Sequence, residues 1–196
     1  MVLKNPNEYE KGKTLVYFVR HGDRIHIPEK KDIGFEIPGP GLNNLGKKQA
    51  KSIAKDFKKI KKEVDIIYSS DMTRAIETAK EISKVVGKKV RSFNGLEEIK
   101  DIAFTRKLHN PLFWKYYRKH KKSIKVLDKI LKQNKGKVII IVAHGRIIAG
   151  ILGRKLGLSR IKILSLFHHE NCAVTLLRFK DTKLDHIYYV NNNGVK

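Results

Sequence analysis

Val138-Ile139-Ile140-Ile141-Val142 is the most apolar run in the chain, and it leads directly into Ala143-His144-Gly145-Arg146. Five branched aliphatic residues in succession leave no polar face, as expected of a strand covered on both sides. This run is therefore placed at the centre of a sheet. Working outward, Thr14 to Val19 (TLVYFV) is a second buried strand, and Asp65 to Ser69 (DIIYS) and Val90 to Phe93 are two more. Ala173 to Phe179 and His186 to Val190 read as late strands.

Helical periodicity fills the intervals. After a loop from His21 to Leu42, punctuated by Pro28, Pro38, Gly39, Pro40 and Gly41, either Asn43 or Asn44 can cap a helix. Ala50, Ile53, Ala54, Phe57 and Ile60 recur there at helical spacing, with lysines on the other faces. A helix over Met72–Val86 carries Ile76, Ala79, Ile82 and Val86 on one face, and Gly87 suits its C-terminal cap. Pro111 to Leu131 reads as a helix or helix pair, with Phe113, Tyr116, Tyr117, Ile124, Leu127 and Ile130 turned inward. A further helix spans Ile147 to Leu156. Alternating strands and helices predict a three-layer α/β/α sandwich with a largely parallel central sheet. One domain over residues 1–196 is expected, with residues 1–13 as a polar leader.

Composition narrows the functional classes. The chain has 196 residues, of which 41% are hydrophobic, which argues against disorder. No apolar run reaches the length of a membrane span, and Met1 to Lys13 lacks the apolar core of a secretory signal. Cys172 stands alone and cannot form an internal disulfide, so a cytoplasmic location is expected. The formal net charge is +24. A lysine-rich solvated surface explains it plainly, and attraction of anionic partners explains it functionally.

Ligands of such sheets bind beyond the carboxyl ends of the strands. There the first strand runs into Arg20-His21-Gly22-Asp23-Arg24, the second into Ser69-Ser70-Asp71-Met72-Thr73-Arg74, and the central one into Ala143-His144-Gly145-Arg146. Parallel strands would bring Arg20, His21, Arg74 and His144 to one edge. A lone histidine or arginine at any of these places is more often structural or solvated. Together, two guanidiniums, two imidazoles and nearby helix N-termini make a site for a phosphate dianion. An arginine beside an apolar strand is costly unless an anion satisfies it.

These motifs resemble, in order, those of the histidine phosphatase superfamily, in the branch that contains phosphoglycerate mutase-like enzymes. Val19-Arg20-His21-Gly22 is similar to its signature, Leu42 to Ala50 (LNNLGKKQA) to its first helix start, and Ser69 to Ala79 (SSDMTRAIETA) to its second arginine motif. Leu96-Glu97-Glu98-Ile99 resembles its acid motif, Val142 to Gly145 (VAHG) its second histidine motif, and the NCAVTLL run from Asn171 a late strand. The chain departs from the common pattern at Asp23-Arg24, where the family often has Glu-Thr, and at Lys100 to Phe104, where its usual Gly and Trp are missing.

The resemblance implies a phosphoglycerate mutase-like fold and a phosphatase that hydrolyses phosphate monoesters through a covalent phosphohistidine on His21, without metal or other cofactor. It implies Glu98 as acid and base, and Arg20, Arg74 and His144 as phosphate ligands. Arg24, in an RHGxR arrangement seen in some phosphatases of the superfamily, becomes a third guanidinium; its plainer reading is a loop arginine in solvent. Glu97 is expected to be the solvated neighbour of Glu98. His168-His169-Glu170 is the cluster a metal reading could use, but adjacent histidines point apart. The expected partner is a phosphorylated small molecule or phosphoprotein, with no membrane. Two alternatives stand beside this reading. One is a mutase-type isomerase, although family mutases carry extra segments in an interval that is short here. The other is a catalytically idle phosphate- or nucleic-acid-binding module, which the charge would suit.

Overall fold

A computed structural model of the chain describes residues 3, 12–27, 38–98, 111–159, 162–163 and 168–193, with the side chains of 111–120 excepted. Its elements, in chain order, are β1 (Thr14–Arg20), α1 (Asn44–Lys58), β2 (Ile66–Ser69), α2 (Thr73–Val86), β3 (Val90–Ser92), α3 (Pro111–Gln133), β4 (Val138–Ala143), α4 (Gly145–Lys155), β5 (Val174–Lys180) and β6 (Lys183–Asn192). The sheet order is β3-β2-β4-β1-β5-β6. β3, β2, β4 and β1 run parallel, and β5 and β6 are antiparallel additions at one side. This is the largely parallel α/β sheet expected, with the Val138–Val142 run inside it.

Alternation along the strands divides the core into two layers. Tyr17, Val19, Ile140 and Val142 pack with Ile53 and Phe57 of α1 and Ala79 and Ile82 of α2. Val16, Phe18, Ile139 and Ile141 pack with Leu127, Ile130 and Leu131 of α3 and Ile147, Ile148 and Ile151 of α4. The two faces of one sheet thus bury two helix pairs, which makes three layers. Tyr17 and Phe57 meet edge to face with ring centroids 5.7 Å apart.

Element ends follow local chemistry. Asn43 caps α1, its side chain accepting from the Gly46 N–H. Gly87 ends α2 in the left-handed conformation, φ 78°. The starts of α4 and β6 differ from expectation for identifiable reasons. α4 begins at Gly145, two positions before its first apolar residue, because His144 is the extended N-cap and Gly145 lies against Arg20 at the site. β6 begins at Lys183 because Asp181, at φ 53°, reverses the chain at once and pairs Lys180 with Lys183. α3 is one helix. Ile124, Leu127 and Ile130 face the core as expected, whereas Phe113, Tyr116, Tyr117 and the Lys100–Phe104 segment lie outside the described side chains. Among the described residues, no helix is long and apolar enough to cross a membrane.

Candidate active site

Register sets the site. Arg20 pairs with Ala143 and Ser69 with Val142, so β1, β4 and β2 end level with one another. The residues that follow, His21, His144 and Ser70, emerge at the same edge and are all buried. His21 donates its backbone N–H to the Ala143 carbonyl at 3.0 Å. The chain then turns through Gly22, where a Cβ would stand 2.6 Å from the Gly46 carbonyl oxygen. At Gly46 a Cβ would stand 1.9 Å from the Asp23 carbonyl oxygen. The loop therefore lies backbone to backbone against the start of α1, an approach only glycine permits.

Polar side chains complete this clamp. The Gly22 N–H donates to Thr78 Oγ1 at 3.1 Å, and the Asp23 N–H to Gln49 Oε1 at 2.8 Å. The Asp23 carboxylate accepts from Asn43 Nδ2 at 2.6 Å and from Asn171 Nδ2 at 3.3 Å. Asp23 thereby ties the loop to α1 and to the turn before β5.

The His21 ring is fixed at both nitrogens. Nδ1 lies 2.7 Å from the Gly22 carbonyl oxygen, which can only accept, so Nδ1 carries the proton. Nε2 accepts from Arg74 Nε at 3.1 Å and so presents a lone pair. Burial pushes the His21 pKa well below the usual histidine value. The positive charges of Arg74, Arg20 and Arg24 push the same way, against a smaller opposing effect of the Gly22 carbonyl. Both the hydrogen bonds and the direction of this shift favour the neutral imidazole.

The other predicted residues gather around it. The His144 ring centroid is 4.9 Å from that of His21, at 60°. His144 Nε2 lies 2.9 Å from Ser70 Oγ, and its Nδ1 lies 3.9 Å from Glu98 Oε2. Arg74 is only 1% exposed. Arg20 Nη1 donates to the His169 carbonyl, while its Nε is buried with no hydrogen-bond partner among the described residues. Such an orphaned donor favours an arriving anion. Arg24 is partly buried; its Nη1 lies 3.4 Å from the Ile25 carbonyl, and its charge reaches His21 through space.

Glu97 departs from expectation. It is not solvated: it is buried, and its carboxylate accepts the Gly95 N–H instead of facing water. The tight turn at Gly95, φ 108°, folds that N–H back onto it. His168 is exposed and pairs with Glu170 at 3.3 Å, whereas His169 is buried against Thr175. The two rings do point apart. A different trio, His21, Glu98 and His144, places one possible ligand atom each within 4.8 Å of the others. The environment of that trio suits an anion better than a dication, because Arg74 already donates to His21 Nε2 and Arg20 and Arg24 add positive charge.

Ser70, Thr78 and the His169 carbonyl were not singled out from the sequence. Ser70 and Thr78 carried no signal beyond their place in the second arginine motif. A backbone acceptor carries none at all.

The sequence pattern of the histidine phosphatase superfamily (branch 1) matches residues 16–109 and 114–192. A Hydrogenobacter thermophilus protein with the provisional name phosphoserine phosphatase 2 is 26% identical over 195 residues, covering 88% of this chain and 93% of its own. Among solved structures, a mycobacterial glucosyl-3-phosphoglycerate phosphatase superposes with a TM-score of 0.73 at 20% identity, over 92% of this chain and 99% of that one. A phosphoserine phosphatase from Entamoeba histolytica, solved with 3-phosphoglyceric acid, superposes with a TM-score of 0.69 at 24% identity, over 91% of this chain and 97% of that one. The fold is that of phosphoglycerate mutase-like histidine phosphatases.

Proposed function

The chain belongs to the histidine phosphatase superfamily (branch 1), and on that premise we propose that it hydrolyses phosphate monoesters of small anionic metabolites through a phosphohistidine on His21. The observation that carries this reading is the His21 ring itself: Nδ1 is bonded to the Gly22 carbonyl, and an unprotonated Nε2 is turned to a cluster of guanidiniums. An imidazole is nucleophilic only in that state.

The reaction runs in two steps. His21 Nε2 forms a bond to phosphorus while the ester P–O bond breaks, and the leaving oxygen takes a proton from Glu98. Arg74 Nε–H, released from Nε2 as that lone pair is used, turns to a phosphoryl oxygen. Arg20, Arg24, Arg74 and His144 hold the equatorial oxygens, so fixed guanidiniums supply the charge that a metal ion supplies elsewhere. Water then attacks phosphorus and gives a proton to the Glu98 carboxylate. The P–N bond breaks, and its electron pair returns to Nε2.

Two relatives are named for phosphoserine and for glucosyl-3-phosphoglycerate. Both are small phosphoesters bearing a carboxylate, which supports a metabolite rather than a phosphoprotein as substrate. The lone, buried Cys172, its thiol pushed up to about 12 by burial, is at home in a reducing cytoplasm.

Rapid acid or base quenching during turnover of a labelled aryl phosphate tests the reading. Label that is acid-labile, base-stable and absent in His21→Ala is expected, with orthophosphate as product. Label on another residue would remove His21 as nucleophile. Return of the phosphoryl group to a new position on the same metabolite would make the enzyme a mutase.

A further inference from the structure

Arg20 is held at both ends by one turn, residues 169–173. Its backbone N–H donates to the Ala173 carbonyl at 3.2 Å, and its carbonyl accepts from the Cys172 N–H at 3.0 Å. Its guanidinium donates to the His169 carbonyl. The side chain of His169 fastens that turn to the sheet: it is 2% exposed, and its Nε2 lies 3.0 Å from Thr175 Oγ1 on β5. Thr175 Oγ1 also accepts the Asn191 N–H from β6 at 3.1 Å, so the anchor spans two strands. On the other side stands Gly145, where a Cβ would lie 3.4 Å from Arg20 Cδ and 3.6 Å from His169 Cβ. The stem of Arg20 thus runs in a slot between the first residue of α4 and His169.

We propose that His169, locked to Thr175, is a positioning residue that aims the Arg20 guanidinium at the substrate phosphoryl group. Among the described residues, this buried imidazole makes one side-chain hydrogen bond and leaves Nδ1 buried without a partner, so it contributes poorly to stability. An apolar side chain would fill the same space at lower cost. What the imidazole provides instead is direction. It fixes the rotation of the peptide whose carbonyl receives Arg20 Nη1, and so fixes where the rest of the guanidinium points. A guanidinium misplaced by a fraction of an ångström loses its fork geometry on phosphate. A neutral ring suits this role. Burial and the nearby Arg20 and His168 lower its pKa to about 4, so it adds no competing charge beside the phosphate site.

The inference rests on Arg20 being a phosphate ligand, and a double-mutant cycle separates the two ideas. The cycle comprises wild type, His169→Ala, Arg20→Ala and the double variant, with an aryl phosphate as substrate and orthophosphate as competitive inhibitor. His169→Ala should reduce kcat/KM and weaken orthophosphate inhibition by about 10-fold, as for one impaired charge-assisted contact. In the Arg20→Ala background it should change either by less than about 2-fold. Thr175→Val should reproduce the loss, and His169→Gln, which can still reach Thr175, or Thr175→Ser should restore activity. Should His169→Ala not fold, Thr175→Val completes the same cycle. Equal losses in both backgrounds would overturn the positioning role while leaving Arg20 a ligand. If Arg20→Ala itself has no effect, the reading of Arg20 as a phosphate ligand is wrong, and the inference falls with it.

Discussion

Arg74 Nε donates to His21 Nε2 across 3.1 Å, so the buried arginine occupies the nucleophilic lone pair and holds it unprotonated. One side chain thereby acts twice. It disfavours the imidazolium before the reaction, and in the proposed mechanism it is released to bind a phosphoryl oxygen during it.

Removing that charge should change the pH profile as well as the rate. In the wild type, burial first and Arg74 next push the His21 pKa well below the usual histidine value. Without Arg74 the His21 pKa rises, so the protonated, inactive form persists to higher pH. Arg74→Met should lower kcat/KM by about 10² or more and move its acid limb upward towards about pH 6.5. A pH series of kcat/KM from about 4 to about 8 checks both effects. An acid limb at the wild-type position would show that Arg74 does not control the nucleophile.

In the proposed mechanism guanidiniums meet the phosphate charge, so chelation should leave turnover unchanged. Activity on an aryl phosphate should be the same in EDTA as in Mg²⁺. The trio His21, Glu98 and His144 gives this test a second arm. If the trio takes up a metal, added Zn²⁺ would occupy the nucleophile and inhibit. Loss of activity on chelation, restored by a divalent ion, would instead give those three residues a ligand role and overturn the proposed chemistry.

Gly46 is a sharper structural test than any core residue. An added Cβ would stand 1.9 Å from the Asp23 carbonyl oxygen and 2.7 Å from its nitrogen, and both are backbone atoms that cannot swing aside. Gly46→Ala should push the Asp23-Arg24 loop away from α1. Stability should fall by about 2 kcal/mol or more, the range for forced overpacking, and kcat/KM should drop with it. Chemical denaturation and kinetics on the soluble fraction measure the two. Wild-type values for both would mean that the loop can lie elsewhere without harm.

The inner strands β1, β2 and β4 were legible because they are nearly pure apolar sequence, and the parallel order followed from helices between them. The convergence of Arg20, His21 and His144 followed in turn, since they end the adjacent parallel strands β1 and β4, and Arg74 joins them from the first turn of α2. What stayed hidden was of two kinds. The beginnings of α4 and β6 lie in polar sequence, where periodicity gives no signal: Gly145 and Arg146 start a helix with no apolar residue, and Lys183 joins β6 because of the turn at Asp181. The support of the site is the second kind. Ser70 on His144, Thr78 on Gly22 and the His169 carbonyl on Arg20 are contacts between residues far apart in the chain, and in the last the acceptor is backbone, identical in every residue.

On the proposed assignment, Glu97 and Glu98 divide the acid motif between structure and chemistry. Successive side chains in an extended segment point to opposite sides, and here the two carboxylates do so. Glu98 Oε2 lies 3.9 Å from His144 Nδ1, while Glu97 turns back to accept the Gly95 N–H. Glu98→Gln removes the transferable proton and keeps the shape. Hydrolysis of alkyl phosphates, whose leaving groups need that proton, should fall by about 10² or more. An aryl phosphate with a good leaving group should still transfer its phosphoryl group to His21. Phosphoenzyme should then accumulate, because in the proposed mechanism Glu98 also activates the water. Glu97→Gln retains an acceptor for Gly95 but loses its charge, so the expected loss is about 1 kcal/mol of stability with kinetics near wild type. A burst of phenol release followed by slow turnover in Glu98→Gln, set against normal progress curves in Glu97→Gln, checks the assignment. The opposite pattern would move the acid to Glu97 and require the segment after Leu96 to rotate in the substrate complex.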